Sequence, residues 1–448
     1  MFQKVLIANR GEIAVRIIRS CRALGIKTVA VYSKSDEASL HKILADESVC
    51  IGPSKAKDSY LDMSRIITAA VMTGADAIHP GYGFLSENSE FAAKCAEFNI
   101  KFIGPSGEII DSMGNKSNAR NTMINANVPV VPGTEEPVLD IEKGLEIAEA
   151  IGYPVIVKAA FGGGGKGMRI VEAKNEFAEM FTLAQKEAEG AFGNGTMYIE
   201  KYIRNPRHIE VQILADKFGN VIHLGERDCS IQRKHQKMIE ESPSPAIDEK
   251  LRAEMGEVAV RAAKAVGYEN AGTIEFLLDS DNKFYFMEMN TRIQVEHPVT
   301  EAVTGVDLIK EQIRIAAGLP LSYKQDDIKV KGHAIECRIN AEIPSKNFMP
   351  SPGTVTALHL PSGFGVRVDT ALYSGYKIPP TYDSMIAKLI VHGSDRNEAI
   401  EKMRATLDEL VIAGIQTNTN FQYSIMNNED YVQGKATTSF MDKLLSDE

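Results

Sequence analysis

The first hundred residues commit the chain to a parallel sheet. KVLIA (4–8) is an apolar run of buried-strand length, GEIAVRIIRSCRALG (11–25) has helical spacing and closes on Gly25, and TVAVYS (28–33) is a second strand-like run. A strand, a helix and a strand in that order predict a right-handed βαβ unit, and hence a parallel sheet. The turn into the helix reads Asn9-Arg10-Gly11-Glu12 and lacks a GxGxxG fingerprint, so no dinucleotide site is expected there. The pattern continues through ADAIHPGYGF to KFIGPS near residue 106, and we place a boundary at residue 114.

The period changes from Tyr153. YPVIVKAA, MRIVEA, MYIEKYI, HIEVQILAD and VIHLGERD read as antiparallel strands, with KFGN and SDN as turn signals. HAIECRINAE, TVTALHL and GVRVDTAL add strands near the C-terminus, followed by the helical RNEAIEKMRATLDEL. The expected architecture is an α/β and α+β multidomain chain. An N-terminal parallel α/β domain spans 1–114, and a mainly antiparallel region follows it to the C-terminus.

Composition narrows the function. A formal net charge of -10 argues against a nucleic-acid binder, and any anionic ligand must rely on local basic clusters. No stretch approaches the ~20 apolar residues that span a bilayer, and the apolar run in MFQKVLIANRGEIAV is too short for a signal peptide. The cysteines Cys21, Cys50, Cys95, Cys229 and Cys337 are scattered and form no CxxC pair, so neither a disulfide framework nor a zinc site is expected. The expected compartment is the cytoplasm.

Three stretches carry chemistry. FGGGGKGMR (161–169) satisfies GxGxxG through Gly162, Gly164 and Gly167, but it precedes a strand-like segment rather than a helix. A hairpin loop without β-carbons can lie against phosphates and donate backbone N–H groups, with Lys158 and Lys166 adding charge. RDCSIQRKHQK (227–237) is a basic cluster in an acidic chain. Its charges alone suit a solvated face as well as a site, although Gln232, His235 and Lys237 could act as directed donors to an oxyanion. Cys229 within it reads as a packed thiol.

The third stretch is GTIEFLLDSDNKFYFMEMN, which reads as a hairpin turning at Asp279–Lys283. A two-residue or a four-residue loop pairs positions summing to 563, which puts Glu275 opposite Glu288. Like charges there repel, and a divalent cation between them turns that cost into a site. Mg²⁺ suits one or two carboxylates together with substrate phosphates. Beyond the hairpin, Arg292, Gln294 and Glu296 continue an even-numbered polar series. Fully extended, Glu288 and Glu296 would stand roughly 26 Å apart, so either the chain turns after Asn290 or the two glutamates do different jobs.

These motifs, in this order, resemble biotin carboxylase, an ATP-grasp enzyme. ANRGEIAVRIIR, HPGYGFLSEN, GGGGKGMR, ERDCSIQRKHQK, EMNTRIQVEHPVTE and IECRINAE carry the resemblance from Lys4 to about Asn418, and RIQVEHPVTE is its most specific element. One departure is Phe161, where some members have another glycine. The resemblance implies a central ATP-grasp domain over 115–330, with a mobile glycine-rich lid at about 131–203, and a C-terminal, mainly antiparallel domain over 331–448, the central domain using ATP with Mg²⁺ (or Mn²⁺). Lys116 and Lys158 would reach the nucleotide phosphates, and Gly163, Gly164, Gly165, Lys166 and Gly167 would cover them. Glu200, Lys201 and Ile203 would hold adenine, with His208 and Gln232 also at the nucleotide site. Glu275 and Glu288 would ligate the metal with Asn290 beside them. Arg292, Gln294 and Val295 would hold bicarbonate, and Glu296 would deprotonate it. Lys237 would stabilise carboxyphosphate, Arg338 the biotin enolate, and Tyr82 and His235 would border the biotin ureido ring.

The implied reaction is ATP- and bicarbonate-dependent carboxylation of biotin borne by a carrier protein. The chain ends without an AMKM-type biotin site, so a separate subunit serving carboxyltransferase partners is expected, and the resemblance implies a homodimer. Acetyl-CoA carboxylase of fatty acid synthesis is the first expectation for the parent complex. A pyruvate- or propionyl-CoA-type carboxylase, another ATP-grasp ligase making an acyl phosphate, or a non-catalytic nucleotide-binding regulator are the alternatives.

Overall fold

A computed structural model describes residues 1–134, 136–159 and 167–446. Lys4–Ile7 is the centre of a five-stranded sheet, with Lys27–Ser33 and Glu47–Gly52 on one side and Ala77–His79 and Lys101–Phe102 on the other. Every neighbouring pair is parallel, as the strand–helix–strand order requires. The first helix, Gly11–Ala23, buries Ile13, Val15, Ile17 and Ile18 and turns Arg19 and Arg22 to solvent. Burial of each such aliphatic side chain contributes roughly 1.5–3 kcal/mol. Asp62, Asn88, Ser106 and Asn115 each accept a backbone N–H at the start of the helix they precede, satisfying a donor the helix itself cannot.

The chain divides into two compact units. One comprises Met1–Val128, Arg207–Phe276 and Glu288–Glu448, and the other comprises Pro129–Pro206 and Leu277–Met287. The second unit holds a three-stranded antiparallel sheet, Met168–Val171, Val155–Ala159 and Met197–Lys201. Its core is built from Val155, Val157, Val171, Phe177, Phe181, Met197 and Ile199.

An eight-stranded sheet runs in the order Phe284–Asn290, Asn270–Leu278, Arg207–Ala215, Val221–Arg233, Gln236–Ser242, His333–Asn340, Met385–Gly393 and Val366–Thr370. Three C-terminal strands, His333–Asn340, Met385–Gly393 and Val366–Thr370, thus extend the sheet begun by the central segment, while Glu342–Ile343 pairs with Met349–Pro350 and Ala357–His359 with Val411–Ala413 in two small sheets of their own. This sheet has two unlike faces, because successive residues of a strand point to opposite sides. Ile335, Cys337, Ile339, Leu389 and Val391 enter an apolar core with Ile400, Met403 and Leu407 of the helix Arg396–Glu409. The alternate positions carry charge: Glu240 is registered with Glu336, Arg338 with Lys388, and Lys388 with Asp369.

Two local expectations change. The hairpin tip is neither a two- nor a four-residue loop. Asp279 donates its N–H to the Lys283 carbonyl and accepts from the Asn282 N–H, leaving a three-residue loop with Asn282 in the left-handed region at φ 61°. Pairing at the tip thus sums to 562, not 563, so the loop register alone does not set Glu288 opposite Glu275. Second, RDCSIQRKHQK is not one patch. Its first half belongs to the strand Val221–Arg233, and Lys234 and His235 form a turn with φ 50° and 64°. The chain then returns as Gln236–Ser242, so the cluster is a hairpin with an exposed tip and a buried base.

Candidate active site

The returning strand of that hairpin, one residue pair in from the tip, supplies the central cation. Lys237 Nζ lies 2.5 Å from Glu210 Oε2, 2.6 Å from Glu296 Oε1 and 3.0 Å from Glu275 Oε1, so the three ammonium protons meet three carboxylates from separate segments. Glu210 and Glu275 reach it from the strands Arg207–Ala215 and Asn270–Leu278, and Glu296 from the residue preceding the helix His297–Thr304. Arg227, fully buried, takes the other oxygen of Glu210 at 2.5 Å and donates to Gln212 and Thr300. A second cation closes the array: Arg338 sits 2.9 Å from Glu296 Oε2 and 2.5 Å from Glu240 Oε1.

Burial raises the cost of every charge here, and the pairings decide the outcome. Burial pushes the Glu296 carboxyl up, but Lys237, Arg338 and Arg227 outweigh it and hold it well below the ordinary carboxylate range. Glu275 is likewise held down, by Lys237 and His208 acting against burial. Lys237 is raised well above its ordinary value, since Glu210, Glu296 and Glu275 together exceed the burial penalty. Glu210 goes the other way: burial raises it despite Arg227 and Lys237.

The expected turn after Asn290 is present. The strand ends there, residues 291–296 have no regular structure, and a helix begins at His297. That bend brings the even-numbered series together. Arg292 donates to Gln294 Oε1 at 2.6 Å and to Asn290 Oδ1 at 3.2 Å, and its Nε pairs with Glu87 at 2.9 Å. Gln294 and Asn290 both donate to Glu275 Oε1, at 3.0 and 2.8 Å. The Val295 carbonyl accepts from Lys388 Nζ at 2.8 Å, and Lys388 stands 3.2 Å from Glu12. Tyr82 donates its hydroxyl to Glu12, and its loop is pinned by Asn9, whose amide donates to the Pro80 and Tyr82 carbonyls at 2.7 Å each. Gly81 between them has φ 63°, and a β-carbon there would stand 3.0 Å from the Asn9 amide nitrogen.

Hard oxygen donors suit Mg²⁺, and the ionised Glu275 carboxylate fits that requirement. Asn290 presents its amide nitrogen to Glu275 and its oxygen to Arg292, so ligation through that oxygen requires the amide to turn over. His208 Nε2 stands 3.0 Å from Glu275 Oε2, and His208, Glu210 and Glu275 bring ligand atoms within 4.8 Å of one another. Glu288 is half-buried on the strand Phe284–Asn290.

In the second unit, Lys158 Nζ pairs with Glu200 Oε2 at 2.5 Å across adjacent strands. Lys201 donates to the Gly152 and Tyr153 carbonyls at 2.9 Å each, so its side chain is committed to a loop. Gly167 has φ 70°, and a β-carbon there would approach that of Ala159 to 3.0 Å. Ile203 follows the strand Met197–Lys201. Gly163, Gly164, Gly165 and Lys166 lie outside the described residues, and Lys116 opens the helix Lys116–Asn125. Gln232 donates to the Cys229 carbonyl at 2.8 Å, while His235 stands exposed at the hairpin tip. Cys229 is fully buried, and burial pushes its thiol well above the ordinary range, in keeping with a packed side chain.

Sequence reading assigns no place to Glu12, Glu87, Glu210, Glu240, Glu336 and Lys388, and marks Arg227 only as a member of the basic cluster. A signal existed for some of them. In HIEVQIL, His208, Glu210 and Gln212 occupy alternate positions of an otherwise apolar strand, and Glu336 and Arg338 do so in HAIECRIN.

Three family models cover the chain: biotin carboxylase, N-terminal domain, over residues 1–110; carbamoyl-phosphate synthase L chain, ATP binding domain, over 115–324; and biotin carboxylase C-terminal domain over 336–443. Biotin carboxylase 1 of Bacillus subtilis is 58% identical over 443 residues, covering 99% of this chain and 98% of the relative. The corresponding pyruvate carboxylase subunit of Methanothermobacter thermautotrophicus is 54% identical, with 99% and 90% covered. Among solved structures, the biotin carboxylase domain dimer of Hydrogenobacter thermophilus 2-oxoglutarate carboxylase, in complex with MgADP, ADP and bicarbonate, superposes with a TM-score of 0.88. It is 50% identical, with 99% of this chain and 98% of that one covered.

Proposed function

The chain belongs to the biotin carboxylase family, whose members are ATP-dependent ligases that carboxylate biotin, and from that premise we propose how its own residues divide the work. Glu296 is the base that deprotonates bicarbonate, Arg292, Gln294 and the Val295 backbone hold that anion, and Lys237 steadies the carboxyphosphate formed from it. Arg338 stabilises the biotin enolate, with Tyr82 and His235 bordering the ureido ring. Lys116 and Lys158 reach the nucleotide phosphates, the glycines and lysine at 163–167 cover them, Glu200, Lys201 and Ile203 hold adenine, and His208 and Gln232 stand at the nucleotide site. Mg²⁺, bound by Glu275 and Glu288 with Asn290 beside them, would neutralise phosphate charge. The division into 1–114, 115–330 (lid 131–203) and 331–448 is proposed on the same footing.

One observation carries this reading: a single carboxylate, Glu296, is fully buried between Lys237 and Arg338, next to the bend that bears Arg292, Gln294 and Val295. In this resting arrangement both cations hold the Glu296 proton affinity down. It becomes an effective base only as Lys237 and Arg338 transfer their attraction to the incoming anions, so the two cations that suppress the base are the ones that the reaction draws away. Arg292 holds the substrate so that its proton faces Glu296, and positioning of this kind converts an encounter into an intramolecular transfer. Glu296→Gln should bind ATP nearly normally and lose bicarbonate-dependent ADP release by about 10²–10⁴-fold, the usual span for a general base. Turnover at the parent's rate would remove Glu296 from that role.

The acceptor is biotin on a carrier protein, and carboxyltransferase subunits consume the product. Fatty acid synthesis through acetyl-CoA carboxylase is our first assignment for the parent complex. A pyruvate-type complex is the second, supported by the 54% identity to a pyruvate carboxylase subunit. Identification of the carboxyltransferase that co-purifies with the chain separates them. A homodimer is proposed because the Hydrogenobacter relative is described as one. No helix among the described residues is long and apolar enough to cross a membrane, and five free thiols accord with a cytoplasmic setting.

A further inference from the structure

Glu240 and Glu336 face each other directly across the antiparallel strands Gln236–Ser242 and His333–Asn340, and both side chains are fully buried. Cross-strand partners bring their β-carbons to about 5 Å, within reach for two glutamate carboxyls. Of the four carboxylate oxygens, only Glu240 Oε1 is bonded, to Arg338 through Nε at 2.6 Å and Nη2 at 2.5 Å. Glu240 Oε2 and both oxygens of Glu336 have no hydrogen-bond partner. Buried acceptors are rarely left so, because each unmet group costs about 1–3 kcal/mol. Two carboxylates cannot satisfy each other, but a carboxylic acid and a carboxylate can, through one O–H···O bond.

We propose that Glu240 and Glu336 share one proton, and that this dyad is the positioning device that sets how firmly Arg338 is held to the sheet and away from the reacting anion. Arg338 stands between Glu240 on one side and Glu296 on the other, so whatever changes the charge of Glu240 changes the balance between them. With the proton in place the dyad presents one negative charge to Arg338. When the proton is lost, two negative charges lie beneath the guanidinium and draw it toward the sheet. The groups around the dyad are consistent with one retained proton. Burial raises Glu240 to about 7 against the pull of Arg338 and Lys237, with Glu296 adding to the rise. Burial, Glu240 and Glu296 raise Glu336 well above its ordinary value against Lys388 and Arg338. Tyr82 also faces Glu336, and Lys388 is itself shared with Glu12 and Asp369. The functional half of this inference rests on the enolate role assigned to Arg338 above, and the shared proton does not.

Infrared difference spectroscopy across a pH titration tests the proton. The parent should show a protonated-carboxyl carbonyl band at neutral pH that moves in D₂O and disappears in Glu336→Gln. In Glu240→Gln, a second variant should the first fail to fold, the band should shift or vanish because its partner oxygen is gone. Absence of the band in the parent, or a band unchanged in both variants, overturns the dyad. The positioning role is read from the ratio of biotin-dependent to biotin-independent, bicarbonate-dependent ADP release. That ratio should fall on the alkaline side in the parent. In Glu336→Gln, whose amide donates permanently to Glu240, the pair keeps one negative charge throughout, so the fall should be absent over the same pH range. A ratio that does not fall in the parent, or that falls equally in Glu336→Gln, overturns the coupling to Arg338. A parent that never responds to biotin sinks the activity assigned above and leaves the infrared result to stand or fall by itself.

Discussion

Lys237 and Lys158 are both assigned to anionic substrate groups, yet the molecule treats them in opposite ways. Lys237 is 13% exposed and meets three carboxylates, whereas Lys158 is 35% exposed and meets one. Around Lys237, three cations (Lys237, Arg227, Arg338) face four carboxylates (Glu210, Glu240, Glu275, Glu296), each tied to another. Removal of one member leaves the others uncompensated in a poor dielectric. Lys158 has only a partly solvated pair to give up, and such pairs are worth about 0–1 kcal/mol. The difference separates a charge that is part of the architecture from one that can leave its partner and follow a ligand.

The largest effect should come from Lys237→Met. It strands Glu210, Glu275 and Glu296, so melting should reveal a loss of about 3–5 kcal/mol, and bicarbonate-dependent turnover should fall by about 10³-fold or more. A variant as stable as the parent would show that the three carboxylates do not depend on this lysine.

Glu241 is an ionic cluster outside the site and makes an intermediate control. His333 donates to it at 2.7 Å and Arg396 at 2.7 and 3.1 Å. Burial alone would push its carboxyl up, but His333 and Arg396 bring it to about 2. A depressed carboxylate adds stability above its unfolded pKa and loses it as pH falls through the folded value. The parent should therefore exceed Glu241→Gln by about 3 kcal/mol at pH 7, and that lead should shrink between about pH 4.5 and 2. A constant lead in melting temperature over that range would reject the assignment.

The smallest change in stability should come from Lys158→Met, below about 1 kcal/mol, with the KM for ATP raised about 10- to 100-fold and melting nearly unchanged. If Lys158→Met melts as poorly as Lys237→Met, the contrast between the two lysines is wrong.

How much of this could be read from the residues alone depended on distance along the chain. The parallel N-terminal sheet, the antiparallel strands after Tyr153 and the bend after Asn290 follow from short-range periodicity and turn chemistry, and the structure contains each of them. Within the site, the gathering of Asn290, Arg292 and Gln294 follows from that one bend. The hairpin register did not follow, because Asp-Ser-Asp-Asn-Lys accommodates even and odd loops alike and one left-handed Asn282 decides between them. Nor did the partners of the named residues. Period-two spacing says which face of a strand Glu210 or Glu336 occupies, but not which strand lies beside it. Glu240 and Arg338, 98 positions apart, meet only through sheet order.

The strand His333–Asn340 sends Ile335, Cys337 and Ile339 into the core and Glu336 and Arg338 to the other side. A slip of one residue would exchange the two sets completely. Loss of folding and loss of chemistry are thus a single event for this segment, and a population of molecules that had lost only the second by such a slip could not persist. Along this strand, the hydrophobic core acts as a proofreader for the placement of Arg338.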